Sequence, residues 1–120
     1  NPNKLHMDHC SPYVADLNCA PVLRSKQRLI VCDGLLCCYD GGPSYKPETT
    51  VTRNCLLFST DAVAIDWVCA RMIGELRAAA GLPTLKDEGR EPRYIAEAAA
   101  PARKVGLAGE SDVEVVDVTL

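Results

Sequence analysis

The apolar residues of the chain fall into runs separated by polar segments, and two short runs predict buried strands. One run covers residues 28–32 and stops at the turn-forming pair Asp33 and Gly34, and the other covers residues 54–59. The longer stretch 62–80 is apolar on nearly every side and is followed by a glycine. It predicts a helix that packs between a sheet and another layer.

Weaker patterns complete the set of predicted elements. A serine-proline pair before an apolar stripe predicts a helix over residues 12–20, and a second short helix is expected over 94–100. Four valines in 113–118 predict a final strand, because β-branched side chains fit a pleated surface. Residues 40–54 contain two prolines and two glycines without periodicity, which predicts a long exposed loop.

The order of these elements predicts a single α/β domain over residues 1–120, built as a small, mostly parallel sheet with helices packed on it. Three predicted strands are few for a sheet of this kind. We therefore expect a partial domain, whose remaining strands come from a longer parent chain, a second copy or another partner chain.

Charge and cysteine content narrow the function classes. A net charge of -3 argues against nucleic-acid binding, which needs a clustered basic surface, and no apolar run is long enough to cross a bilayer. The seven cysteines are odd in number and include no C-x-x-C pair, which is typical of reduced packing cysteines in a cytoplasmic protein. Because the chain does not begin with Met, it stays open whether an export signal was removed from it.

Polar residues at the predicted strand ends form the candidate site. In a parallel sheet the carboxyl ends of the strands meet at one edge, where ligands bind. We predict Asp33 and Asp66 as catalytic groups, the latter because it interrupts an apolar helix. The ligand-binding candidates are Gly41, Gly42, Ser59, Thr60 and Asp61.

Structural roles stay open for each of these candidates. Asp61 at the start of a helix also fits an N-cap without catalytic duty. Asp66 equally fits a buried hydrogen-bonding role, and the glycine pair fits a plain turn.

The polar start of the chain, residues 1–10, here called the leader, contains a candidate metal site. His6, His9 and Cys10 are spaced i, i+3 and i+4, which would bring three ligands together on one helical turn. The alternative is a solvated leader, since short histidine motifs are frequent without metal.

Three segments, Leu29–Leu35, Gly41–Pro43 and Leu56–Asp66, resemble the later part of the domain of unknown function 362 family. Its members have a strand that ends in Val-Asp-Gly or a close variant, a Gly-Pro loop, and a strand that enters a helix through Asp-Pro-Val-Ala-x-Asp. Here Ala62 replaces the usual proline, and the family's first part, with its Lys-Asn motif, is missing. The resemblance implies an α/β fold and the C-terminal half of a longer domain. It also implies an iron–sulfur context, with the cluster held by a separate domain in some members.

Two functional hypotheses follow, and the sequence leaves open whether the chain is an enzyme. The first is a redox-associated or metal-dependent α/β protein with its ligand crevice at the strand ends. The second is a non-catalytic interaction or subunit module that completes its sheet with a partner.

Overall fold

The computed structural model describes residues 2–119, with side chains described from His6 onward. The strands are β1 (Ile30–Cys38) and β2 (Thr50–Ser59), and the α-helices are α1 (Tyr13–Asn18), α2 (Pro21–Arg24), α3 (Ala62–Ala79) and α4 (Arg93–Ala99). Two 3₁₀ segments cover Pro2–Cys10 and Pro47–Thr49. Within the described range, no helix combines the length and apolar character needed to cross a membrane.

The α/β class is confirmed, but the prediction of a mostly parallel sheet is wrong. Strands β1 and β2 form a two-stranded antiparallel sheet, with Ile30 opposite Ser59 and Cys38 opposite Thr50. The connection at 39–49 contains only one short 3₁₀ turn. A parallel pair needs a longer crossover, usually through a helix, so this connection produces a hairpin.

A β-bulge explains why β1 extends beyond its predicted end. Gly34 pairs with Cys55 and Leu36 with Thr52, so two residues of β2 lie opposite one residue of β1. One of them, Asn54, has φ 53°, a left-handed conformation that asparagine tolerates better than most residues. The Asp33-Gly34 pair therefore lies inside β1 and does not end it.

The two faces of the hairpin have different surroundings. On the inner face, which packs against α3, Gly34 is buried and Cys32 and Leu57 are half-buried. A Cβ at Gly34 would lie 2.7 Å from the Cys55 sulfur, so only glycine fits there without a shift. The outer face, defined here as Val31, Leu56 and Phe58, is exposed to solvent.

Helix α3 lies between the hairpin and the other helices, as the sequence predicts. It begins at Ala62 behind the N-cap residue Asp61 and contributes the buried Val63 and Ile65. Val63 packs with Ala15 of α1 and with Ile95 and Ala98 of α4. Half-buried side chains pack around this core: Trp67, Ala70, Tyr94, Ala99, Val105 and Ala108.

The remaining predictions had mixed outcomes. Helices occur near both predicted positions, but α1 has no side-chain cap from Ser11. The predicted strand at 113–118 is wrong, because this segment has no regular structure and its valines 115, 116 and 118 are 55–76% exposed. A strand needs a hydrogen-bonding neighbour, and no described strand pairs with this segment.

A buried arginine links three parts of the fold. The Arg77 side chain is 1% exposed and donates to Asp40 at 2.7 Å and Glu88 at 2.8 Å. It also donates to the carbonyl oxygens of Tyr39 at 3.1 Å and Pro83 at 2.9 Å. The hairpin loop, α3 and the segment before α4 therefore share one guanidinium, which we call the Arg77 junction.

Replacing Arg77 by Met should destabilise the protein by about 3 kcal/mol, because it leaves two carboxylates and two carbonyls without their donor. The free energy of unfolding from urea titration measures the loss. Arg71→Met is the matched control, since Arg71 is 46% exposed and pairs with exposed Glu75 and Glu110. It should cost about 1 kcal/mol or less. Equal losses in the two variants would contradict a dominant role of the Arg77 junction.

Candidate functional site

The antiparallel sheet separates the residues that were predicted to share one crevice. Gly41 and Gly42 follow the end of β1, whereas Ser59, Thr60 and Asp61 lie at or after the end of β2. In a hairpin these ends are opposite, and the nine residues of β1 span about 30 Å at ~3.3 Å per residue. The structure does not bring the two groups together.

The two predicted catalytic carboxylates also lie apart. Asp33 is exposed in the middle of β1, beside the outer face, and its Oδ1 accepts a hydrogen bond from the Leu35 N–H at 2.8 Å. Asp66 lies on α3, which packs against the inner face. The sheet therefore separates Asp33 from Asp66.

Asp61 connects the start of α3 to the C-terminal segment. Its Oδ1 accepts from the N–H groups of Val63 at 2.8 Å and Ala64 at 3.0 Å, which makes it the N-cap. Its Oδ2 accepts from the Leu107 N–H at 2.9 Å. A Cβ on Gly106 would overlap this carboxylate, so the close approach needs glycine. Both Asp61 oxygens are thus engaged by backbone donors.

The contacts of the other predicted ligand-binding residues are with residues close to them in sequence. Ser59 Oγ accepts from the Asp61 N–H at 2.9 Å, and Thr60 is exposed. Gly41 has φ 72°, where side chains are strained, and it packs under the Lys46 side chain. Gly41 therefore allows a tight backbone turn beside a basic side chain, whereas a Cβ at Gly42 would meet open space.

The leader does not form the regular helical turn that was expected for the metal candidates. Its backbone is non-helical from Met7 to His9, with left-handed φ at Asp8, His9 and Cys10. His6 and His9 are exposed, and Cys10 is half-buried. Among the side chains that the structure describes, no group of three or more His, Cys, Asp or Glu is arranged to hold a metal ion.

Asp66 is half-buried in a small cavity between α1, α3 and α4, here called the Asp66 pocket. Val14, Asn18, Tyr94 and Val105 contribute to its lining. The cavity volume is about 30 Å³, which accommodates about one water molecule and is far below the size of an organic-ligand pocket. Only a proton, a water or a single ion fits beside the carboxyl.

Burial controls the acid–base chemistry of this pocket. It raises the pKa of Asp66, and a hydrogen bond from Tyr94 opposes part of the rise. The pKa of Tyr94 is raised to about 12, first by burial and then by the negative charge of Asp66, with smaller contributions from Cys10 and Cys69.

A second group of reactive side chains lies between the hairpin and α3. Cys32, Cys37, Cys55 and Cys69, here called the thiol layer, are free and half-buried. The Cys69 thiol donates to the Cys32 sulfur at 3.6 Å, and the Cys55 thiol donates to the Gly34 carbonyl at 3.5 Å. Burial raises the pKa of Cys37, and it raises the pKa of Cys69 to about 12 together with the nearby Cys32.

Sequence reasoning missed Tyr94 and the pairing of Cys32 with Cys69. Tyr94 gave one weak signal, a hydroxyl in an otherwise alanine-rich helix. The two cysteines are 37 positions apart, on β1 and α3, and their spacing carries no signal. Both contacts arise only when α3 packs between the hairpin and α4.

A family model described as Domain of unknown function (DUF362) matches residues 2–71, which is more than half of the chain. The chain belongs to the DUF362 family. No curated protein and no solved structure gives a significant match. The match to DUF362 ends inside α3, so it includes the leader, the hairpin, Asp61 and Asp66 but not Tyr94 or Arg77.

The raised pKa of Asp66 gives this DUF362 chain a distinct pH dependence. The folded state holds the Asp66 proton more tightly than the unfolded state, whose pKa is near 3.8. Protonated Asp66 therefore stabilises the folded state fully below pH 3.8, and this stabilisation falls as pH rises through the higher folded pKa.

Asp66→Asn should remove this fall, because the amide stays neutral at every pH. From about pH 3 to about pH 7, the unfolding free energy of the variant should change more favourably with rising pH than that of the unchanged protein. Asp117→Asn, in the exposed C-terminal segment, is the control and should keep the original slope. An unchanged slope in Asp66→Asn would show that Asp66 ionises normally in the fold.

Proposed function

We propose that this chain is an interaction module whose β1–β2 hairpin is completed by a partner polypeptide packed on its outer face. The main observation in support is the exposure of large apolar side chains on that face. Val31 is 54% exposed, Leu56 is 52% and Phe58 is 62%. Val31 and Phe58 are direct cross-strand neighbours, so they form one continuous surface.

Exposed apolar side chains grouped on one surface are typical of interaction sites. Leu35, which follows Val31 and Asp33 on the same face of β1, is also exposed, at 46%. Helix α3 covers only the inner face, so folding of the described residues leaves the outer face in water. A partner that covers it would gain about 25 cal/mol for each Å² of apolar area removed from water.

The hairpin edges support the same proposal. In the described residues, β1 and β2 pair only with each other, and each strand keeps one edge of backbone N–H and C=O groups without a strand neighbour. Two strands alone are marginally stable, and an added strand supplies both hydrogen bonds and apolar contact. The partner is either a second copy or a chain that supplies the missing strands, such as the first half of a longer family domain.

Self-association through the outer face is tested with Phe58→Ser. In sedimentation experiments across about 1–200 µM protein, the unchanged chain should form dimers or larger species, and the variant should associate at least about tenfold more weakly. Val116→Ser is the matched control, because Val116 is 73% exposed in the C-terminal segment and lies outside the hairpin. It should leave association unchanged.

If the partner is a different chain and not a second copy, we expect a different result. The protein is then monomeric, but the outer face still binds the apolar dye ANS, and Phe58→Ser lowers the dye signal whereas Val116→Ser does not. A monomer whose dye binding is the same in all three proteins would refute the interaction proposal.

A second candidate function is a redox-associated or metal-dependent centre at the Asp66 pocket. The observation that favours it is the half-buried Asp66 carboxyl, which lines a small cavity together with Tyr94. A carboxylate is a ligand for divalent transition metals. The small cavity admits a single ion more readily than an organic substrate.

This candidate predicts that protein purified without oxygen contains metal, and that Asp66→Asn weakens the binding by about tenfold or more. Metal analysis and calorimetric titration with Zn²⁺ or Fe²⁺ provide the measurement. Asp33→Asn is the matched control, because Asp33 lies on the far side of the sheet and should not affect binding. Metal-free protein that binds neither ion, or equal losses in both variants, would exclude a metal centre at Asp66.

A further inference from the structure

Two cysteines of the thiol layer are already in contact across the hairpin–α3 interface. The sulfur atoms of Cys32 on β1 and Cys69 on α3 are 3.6 Å apart. A disulfide needs about 2.05 Å, so a displacement of about 1.5 Å shared between two side chains would form the bond. Among the described cysteines, Cys32 and Cys69 are the pair whose sulfur atoms form a hydrogen bond.

We propose that Cys32 and Cys69 form a reversible disulfide that links β1 to α3, with a low-molecular-weight disulfide as the oxidant. The proposal is independent of the partner on the outer face, because the two sulfur atoms lie on the inner side of the hairpin. It assigns these cysteines a chemical role beyond packing.

The burial of Cys69 indicates which cysteine reacts first. The Cys69 thiol donates to the Cys32 sulfur, and burial, together with the nearby Cys32, raises the pKa of Cys69 to about 12, so Cys69 keeps its proton at neutral pH. The thiolate, not the thiol, attacks a disulfide. Cys32, which accepts this hydrogen bond, is therefore the attacking residue.

The reaction has two exchange steps. The Cys32 thiolate attacks one sulfur of the small disulfide, a protein–small-molecule disulfide forms, and the first small thiolate leaves and takes up a proton. Cys69 then loses its proton, its sulfur attacks the Cys32 sulfur, and the second small thiolate leaves and is protonated. Two protein thiols are oxidised to one disulfide, and the small disulfide is reduced to two thiols.

The first step removes part of the barrier to the second. Burial is the largest cause of the raised pKa of Cys69, and the neighbouring Cys32 sulfur adds to it. Once Cys32 is in the mixed disulfide, its sulfur cannot ionise, so the contribution of Cys32 to the pKa of Cys69 is reduced. Formation of the mixed disulfide thus activates the cysteine that resolves it.

The experiment uses the reduced full chain in buffers that contain glutathione and glutathione disulfide. After acid quenching and alkylation of free thiols, digestion without reductant and mass spectrometry should identify Cys32–Cys69 as the main cross-link. The oxidised protein should unfold about 10 °C above the reduced protein, because the bond restricts the unfolded chain. Circular dichroism confirms that each sample is folded.

Variants separate this pair from the other cysteines. Cys69→Ala should abolish the cross-link and accumulate glutathione on Cys32, whereas Cys32→Ser should abolish both. Cys55→Ser is the matched control, since Cys55 belongs to the same thiol layer but contacts the Gly34 carbonyl, and it should retain the cross-link. Folded, unchanged protein that forms other cross-links or none at every glutathione ratio would overturn the proposal, as would a Cys69→Ala variant without an adduct at Cys32.

Discussion

The fold depends on the satisfaction of one buried positive charge. A guanidinium taken out of water must find acceptors for its donors, and Arg77 finds them in Asp40, Glu88 and two backbone carbonyls. These acceptors come from the hairpin loop and the segment before α4, which are also joined by an ion pair between Arg90 and Asp40 at 3.1 Å. The Arg77 junction also holds the pKa of Asp40 below its usual range, together with Arg90, so the loop carboxylate stays charged.

Helix α3 carries different chemistry on its two sides because different elements pack against them. Toward the hairpin it contributes Cys69 to the thiol layer, where burial keeps the thiol protonated. Toward α1 and α4 it contributes Asp66, where burial favours the protonated carboxyl. In both places desolvation is the largest cause of the pKa shift, and in both a neighbouring side chain modifies it.

The proposals for this DUF362 chain concern separate surfaces of the same hairpin. The outer face offers apolar area and two strand edges, which suits association with polypeptide. The inner face offers two sulfur atoms in contact, which suits thiol–disulfide exchange. Because β1 separates the two faces, a variant such as Phe58→Ser addresses the first without altering a residue of the second.

Sequence and structure settled different parts of this protein. Local signals were sufficient for α3 and its cap, since an apolar helix pattern and Asp61 depend on neighbours within a few residues. The family was also evident from the hairpin and helix motifs, and the family match confirms it. The sequence by itself thus determined the class of fold, its longest helix and its family.

Tertiary structure decided the strand direction, the extent of β1 and the contents of both candidate sites. Apolar runs predict buried strands without fixing their direction, and valines at 113–118 form no strand without a paired neighbour. The antiparallel pairing separated Asp33 from Asp61 and Asp66, while α3 brought Cys69 to Cys32 and Asp66 to Tyr94. These contacts join residues distant in sequence, so they depend on packing between elements and not on any local pattern.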